Sequence, residues 1–385
     1  MTSDPWHMLS EEERLFCDVL ERLCADRIAP RAAETDESAR FVHDQLACLG
    51  EAGMMGANLP EAYGGGISAP ALLRAVAIVA GACGSTASAL TAHYLATDSI
   101  LIGGTEAQKQ AILPRAAEGR ALGAFALTEP TAGSDPADMK TRARRVDGGW
   151  HLEGAKCFIS NGGIADFIVV YAVTDPARAH RGISAFIVPK GTPGLAAGSP
   201  ERTMGLKGGH VFILSLDCRL PDDALLGGVE GQGFRTAMQV LDNGRIEVAA
   251  QCLGLAEAAM STAIAYAKER VIGGQPLTDR QAIRFMIADM GLAFQSARLL
   301  AQDAARQRDA AHRGGGRFSL AASMAKLQAS EAAGRIADTA LQLLGGYGYT
   351  RDFPVERIVR DLRIMRIYEG SSEIQRSIIS GQLLA

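Results

Sequence analysis

The sequence predicts a multidomain α+β protein in which a helical block, a β-rich block and a second helical block follow in that order. Three observations carry this reading. Up to about residue 120 the chain is a succession of Ala- and Leu-rich segments of helical length, divided by Gly, Pro and Thr. From about 121 to 230, short runs rich in β-branched residues take over. Beyond Gly233 long helix-periodic stretches return, so the expected domains are 1–120, 121–230 and 231–385. No β-α-β alternation is present to build a parallel sheet.

In the first block, Ser10-Glu11-Glu12-Glu13 fits a capping box, because a Ser hydroxyl and a Glu three residues on satisfy each other's free amides. A helix over about Glu11–Asp26 follows, with others expected at about His43–Ala52, Ala69–Ala82, Ser85–Gly103 and Glu106–Glu118. In the second block, Thr141–Val146 and Trp150–Leu152 flank Asp147-Gly148-Gly149, a hairpin signal. Phe167–Val173, Ile183–Val188 and Val211–Leu216 read as further strands. In the third, stretches at about Arg245–Arg270, Thr278–Ala311, Leu320–Leu344 and Pro354–Tyr368 suffice for a four-helix bundle. Gly64-Gly65-Gly66 follows no strand and reads as a turn rather than a dinucleotide fingerprint.

Composition narrows the function. Lys and Arg number 39 against 43 Asp and Glu, so no basic excess asks for nucleic acid. Seven scattered Cys, never spaced C-x-x-C, argue against a disulfide framework or a zinc ribbon and suit a reducing compartment. The seven His stand isolated, and no metal is expected. Early acids at the N-terminus and the lack of ~18 uninterrupted apolar residues predict a cytoplasmic protein without a membrane span. P-loop, nucleophile-elbow and zincin signatures are all missing.

Three motifs remain. Phe125-Ala-Leu-Thr-Glu-Pro-Thr-Ala-Gly-Ser-Asp135 leaves an apolar strand as a polar loop that either aims hydroxyls and amides at a ligand or caps its own turn. Lys156-Cys-Phe-Ile-Ser-Asn-Gly-Gly163 puts an aromatic and a hydroxyl two apart on a strand. Glu369-Gly370-Ser371-Ser372-Glu373-Ile374-Gln375 sets a carboxylate ahead of an expected N-cap at Ser372, since Ser372 and Gln375 fit S-x-x-Q.

Together these motifs resemble the acyl-CoA dehydrogenase family. The likeness runs from about Leu9 to the C-terminus and takes in Leu59–Gly65, Met204–Lys207, Leu241–Arg245, Gln342–Gly348 and Arg360-Asp361. It implies a helical domain, a β-barrel-like middle domain and a four-helix bundle around an FAD, in a homotetramer built as a dimer of dimers. It also implies an acyl-CoA substrate and an electron-transferring flavoprotein as partner. The implied pathways are fatty-acid β-oxidation or branched-chain amino-acid breakdown.

The resemblance assigns residues as well. Phe125, Leu127, Thr128, Gly133 and Ser134 line the flavin, and Ser134 also meets the CoA part of the substrate. Phe158 packs on the ring system and Ser160 bonds near N5, where the family commonly has Trp and Thr. Arg270 and Gln281, with Gln342, Gly345 and Gly346 from the neighbouring subunit, hold the pyrophosphate and adenosine, an Arg fork suiting pyrophosphate. Ser371 and Glu373 belong to the same envelope. Asp242, Arg245, Tyr368 and Gly370 support the substrate. One departure is Val271-Ile272-Gly273-Gly274, where the family's Phe-Gly is missing and with it an aromatic wall.

A thioester α-hydrogen is weakly acidic, so its removal needs a positioned base, and the resemblance makes that base Glu369. Gly244 occupies the other base position used in the family and has no side chain to accept a proton. Glu247 lies about 200° round the helix from Arg245 and is expected to face elsewhere. Phe158-Ile-Ser160, Asn243–Ile246 and Gly345–Tyr349 lean toward short-chain or short branched-chain members such as butyryl- or isobutyryl-CoA dehydrogenases. Two other readings are a flavin-dependent oxidase or monooxygenase on the same fold, disfavoured by the intact Tyr368-Glu369-Gly370, and a helical scaffold without activity.

Overall fold

The structure, a computed structural model, describes residues 9–314 and 316–385. The capping box forms as expected: the Ser10 amide donates to Glu13 Oε2 at 2.9 Å and the Glu13 amide to Ser10 Oγ at 3.1 Å. Helix α1 (Glu11–Leu23) stops short of Asp26, because the chain widens into a π turn over Cys24–Ile28. Then come α2 (Ala32–Ser38), α3 (His43–Glu51), α4 (Ala69–Ala82), α5 (Gly84–Gly103) and α6 (Glu106–Ala117). Helix α5 is buried without interruption from Gly84 to Ile100, which makes it a core helix on every face.

The middle block is one seven-stranded sheet. Its strands are β1 (Gly123–Ala126), β2 (Arg142–Val146), β3 (Gly149–Ser160), β4 (Phe167–Val173), β5 (Ile183–Pro189), β6 (Leu195–Ala197) and β7 (Val211–Pro221). The order is β1-β4-β2-β3-β7-β6, with β5 also paired to β4. Strand β1 runs parallel to β4, with Gly123 opposite Phe167, so the sheet is mixed although no β-α-β unit exists. The long antiparallel excursion through β2 and β3 brings the chain back in β1's direction without a crossover helix.

Helix α7 (Gly233–Glu269) begins well before Arg245. It is followed by a small hairpin of β8 (Val271–Ile272) and β9 (Gln275–Pro276), then α8 (Gln281–His312), α9 (Ser319–Leu344) and α10 (Gly346–Tyr349). The fourth expected bundle helix, at about Pro354–Tyr368, forms only as α11 (Val355–Leu362) and tightens into a 3-10 turn over Arg363–Arg366; a further helix, α12 (Ser372–Leu383), follows, and the Glu369 motif fills the gap. By length and composition α7 could cross a membrane, but its apolar residues are packed against α4, α5, α8 and α9 as the bundle's central helix. The packing of α4 on α7 is close: a Cβ added at Gly254 would stand 1.9 Å from the Ala77 carbonyl oxygen.

The two helical blocks share one apolar core running from Leu9 to Met365, while the sheet has its own around Trp150, Phe186 and Leu214. Arg360 binds both carboxylate oxygens of Asp36 at 2.7 Å and also pairs with Glu356. Asp361 accepts the Leu206 amide, so neighbouring side chains fasten the last domain to both others. Arg366 is likewise engaged within the chain, beside Glu331. All seven cysteines are free and buried.

Lys156, wholly buried, donates to Glu129 Oε1 at 2.8 Å and to the Leu127 carbonyl at 2.9 Å. Glu129 also accepts the amides of Lys140 and Thr141. Burial works against the Glu129 charge, but Lys156 and these amides outweigh it and hold its carboxyl below the usual range. Lys156→Met strands that carboxylate. It is expected to cost about 3–5 kcal/mol in urea unfolding, with most of the loss recovered when Glu129→Leu is added.

Candidate active site

Helices α5 and α7 run antiparallel, and polar bonds set their register. Asn243 donates to Asp98 at 2.7 Å and Gln251 donates to Thr91 at 3.1 Å. Between these rungs Leu95 of α5 comes against Gly244 of α7, and there the Glu369 carboxylate is seated. A Cβ added at Gly244 would lie 2.1 Å from Glu369 Oε2 and 2.8 Å from Leu95 Cδ2. Any side chain at position 244 displaces the carboxylate.

Glu369 sits on a strained turn. Its φ is +52° and that of Gly370 is +92°, two successive left-handed residues of which only the second is a glycine. Holding a non-glycine residue there costs on the order of 1 kcal/mol or more and persists only where neighbours overdetermine it. They do. Gln375 Nε2 donates to the carbonyls of Glu369 and Gly370, both at 3.1 Å, and Lys326 Nζ donates to the Gly370 carbonyl at 2.6 Å. The expected S-x-x-Q cap at Ser372 does not form. Ser371 caps α12 by accepting the Ile374 amide, Ser372 donates to Glu331, and the Gln375 amide is drawn to the turn's carbonyls, which have no intrahelical donor.

Glu369 Oε2 is buried and has no hydrogen-bond partner among the described residues. Burial pushes its carboxyl up to about 7, although Lys326 and Arg245 pull it down. Arg245 is itself buried and paired with Asp242, which also accepts from Ser319. The Tyr368 hydroxyl donates to Gln251 Oε1 at 3.3 Å, which ties the residue before Glu369 to the α5–α7 rung. Glu247 is enclosed, with both carboxylate oxygens unpartnered among the described residues, and the charge of Glu369 acts on it. Burial first, then the charge of Asp98, pushes it well above the usual range.

The β side reaches the same place through α5. The β3 ladder slips at a bulge between Lys156 and Ile159, and there Phe158 takes φ +57° and stands 68% exposed, with Ser160 half-buried two residues on. Asn161 Nδ2 donates to the Ala89 carbonyl of α5 at 2.9 Å. Ala89 and Leu95 are six residues apart, about 9 Å along the helix, so one short stretch of α5 positions both the bulge and the Glu369 seat. Phe125 packs on Tyr171 at 5.1 Å between ring centres, and the carbonyls of Leu127 and Thr128 accept from Lys156 and Cys157. Gly133 and Ser134 are exposed in the loop beyond.

A cavity of about 600 Å³ opens at the end of α7, lined by Arg270, Gln342, Gly345, Gly346, Tyr266 and Tyr347 among others. Arg270, just past the end of α7, and Gln342, near the end of α9, line this cavity together within one chain. Gln281, the exposed first residue of α8, does not line it. Gly273 and Gly274 form the hairpin turn with φ of +63° and +80°. The rings in the cavity wall are instead those of Tyr266 and Tyr347, with the Arg270 guanidinium 6.0 Å from the Tyr347 ring centre.

Sequence reasoning missed Lys326 and Gln375 as supports of the turn. The signal for Lys326 was there, since it falls among Ala322, Ala325, Ala329 and Ala333 on the buried stripe of α9. For Gln375 nothing local could show that its amide points backward.

Three family models match along the chain: acyl-CoA dehydrogenase N-terminal domain over residues 10–120, middle domain over 124–217 and C-terminal domain over 231–384. A mitochondrial short-chain specific acyl-CoA dehydrogenase of Bos taurus is 43% identical over 373 residues, covering 95% of this chain and 89% of that one. The solved butyryl-CoA dehydrogenase of Megasphaera elsdenii superposes with a TM-score of 0.94 at 38% identity, with all of both chains covered. A glutaryl-CoA dehydrogenase of Mycobacterium smegmatis in complex with FADH2 gives 0.91 at 33% identity, covering 98% and 95%.

The seat at Gly244 is testable by stability alone. Gly244→Ala overpacks it and is expected to cost about 1–3 kcal/mol in chemical unfolding. The loss should largely vanish in a Glu369→Ala background, as a double-mutant cycle would register.

Proposed function

Because the chain belongs to the acyl-CoA dehydrogenase family, and so catalyses FAD-dependent α,β-dehydrogenation of an acyl-CoA thioester to the enoyl-CoA, we propose that Glu369 is the base that takes the α-proton. The observation that carries this is its buried, unpartnered Oε2 on an overdetermined left-handed turn. An intact Glu in this setting does not favour the oxidase or monooxygenase alternative.

The residues present suit FAD. The roughly 600 Å³ cavity has an Arg at its wall and bare backbone at Gly345 and Gly346, where an added Cβ meets nothing within 4 Å. The exposed Phe158 ring at the β3 bulge offers an apolar face. Arg270, Gln342, Gly345 and Gly346 would hold the phosphate and adenosine half, with Gln281, Ser371 and Glu373 nearby. Phe125, Leu127, Thr128, Gly133, Ser134, Phe158 and Ser160 would hold the flavin half. FAD, when bound, supplies the oxidising power of the reaction as acceptor of the β-hydrogen.

The chain's own groups do the rest. Desolvation keeps Glu369 basic near neutral pH, so its carboxylate can accept a proton that water would not take, and the Cα–H electron pair becomes the Cα=Cβ bond. Arg245 and Lys326 stop burial from neutralising it entirely. Asp242, Arg245, Tyr368, Gly370 and Ser134 orient the thioester. The names of the bovine and Megasphaera relatives support a short acyl chain; the substrate we propose is short, straight or branched, in fatty-acid β-oxidation or branched-chain amino-acid breakdown.

We divide the chain at 1–120, 121–230 and 231–385. A homotetramer, as a dimer of dimers, is supported by Phe285, Leu292 and Leu299, exposed apolar residues at seven-residue spacing on one face of α8. An electron-transferring flavoprotein as acceptor and a cytoplasmic location complete the proposal.

Glu369→Gln is expected to keep FAD and bind acyl-CoA while losing flavin reduction by about 10³-fold or more in rapid mixing. In the wild type the reduction rate should rise with pH, reach half its plateau at about 7 and level off above that, since the base acts only when ionised. A near wild-type rate in the Gln variant would overturn the assignment.

A further inference from the structure

Lys326 is wholly buried in a helix face otherwise built of Ala and Ser, and its one hydrogen bond to a main-chain acceptor reaches past Glu369 to the next carbonyl. A lysine buried in such a place is held there by function or by a specific partner. Its partner is the Gly370 carbonyl, the second peptide of the left-handed pair, which also takes Gln375. The carbonyl thus receives two side-chain donors from two different helices, while Oε2 of the carboxylate one residue earlier receives none among the described residues.

We propose that Lys326 is a positioning residue: by holding the Gly370 carbonyl it fixes the left-handed Glu369–Gly370 turn and keeps the Glu369 carboxylate seated against Gly244. This rests on Glu369 being the base. Lys326 acts through that residue and touches no reacting atom.

The ammonium also places a positive charge behind the carboxylate. Burial brings Lys326 down to about 8, so it carries its charge through the range in which Glu369 titrates. The other groups that act on this pair are Arg245, Glu247 and Cys252 from α7, Glu331 from α9, Tyr368 just before the base and Glu373 of α12. Of these only Arg245 joins Lys326 in favouring the ionised base. Loss of the Lys326 charge therefore raises the pH at which Glu369 ionises.

The test measures flavin reduction by butyryl-CoA against pH in the FAD-loaded enzyme, for wild type, Lys326→Gln, Lys326→Met, Lys326→Arg and Glu369→Gln. Lys326→Gln keeps a donor and removes the charge, so its acidic limb should move up by about one unit with the plateau near wild type. Lys326→Met should show the same shift with the plateau lowered about 10²-fold, since the turn is released. Lys326→Arg should restore the limb. A purely structural lysine would lower stability or plateau without moving the limb, and an unmoved limb in Lys326→Gln overturns the proposal even if Lys326→Met fails to fold. Fast reduction by Glu369→Gln would sink the base assignment itself, whereas a slow Glu369→Gln with an unmoved limb in the lysine variants sinks only the role of Lys326.

Discussion

Helix α5 has water on no side, and the other elements are arranged around that fact. A helix buried on every face has to find partners for each polar group it carries, since an unpaired one costs about 1–3 kcal/mol. In α5 those partners come from all three blocks. The Tyr94 hydroxyl bonds the Met54 carbonyl, and Asn58 donates to Asp98 at 2.7 Å, both within the first block. His93 accepts the Gly123 amide at the start of the sheet, and Ser99 meets the Tyr171 hydroxyl inside it. Asn243 and Gln251 come from the bundle. The helix is thereby a common ruler for the sheet and the bundle, and the two halves of the active site are brought together along it.

The proposed role of Glu369 as base depends on a balance of opposed effects at its carboxylate. Burial alone would leave Glu369 neutral and useless as a base, while a close salt bridge would leave it ionised and too weak. The structure avoids both: Oε2 has no partner, and two cations, Lys326 and Arg245, act without bonding it. Arg245 is in turn moderated by Asp242, so that neither cation is free to collapse onto the carboxylate. The strain of the left-handed turn is part of the same device, because a relaxed backbone at residue 369 would aim the side chain elsewhere.

Much of this was legible in residue order. Helix α4 and strand β4 fall at the residues that periodicity marked, Ser10 caps as its motif requires, and Gly244 is bare at the point where a side chain could not be borne. What the motifs concealed was direction. Gln375 fits a capping box forward and bonds backward, and Glu247, two residues from Arg245, is shut into the core. Gly273-Gly274 looked like a lost aromatic, whereas Tyr266 and Tyr347 stand in the cavity wall.

By itself the sequence determined the order of blocks and the family, and it singled out the Tyr-Glu-Gly motif, because these rest on local periodicity and on residue types at fixed short spacings. Only the tertiary structure decided that the two helical blocks share one core, that the sheet pairs β1 with β4 in parallel, and that Lys326, 43 residues before Glu369, lies behind it. Those outcomes turn on which faces meet across long stretches of chain. A buried charge or an unpaired oxygen acquires meaning only from neighbours that the order of residues does not name.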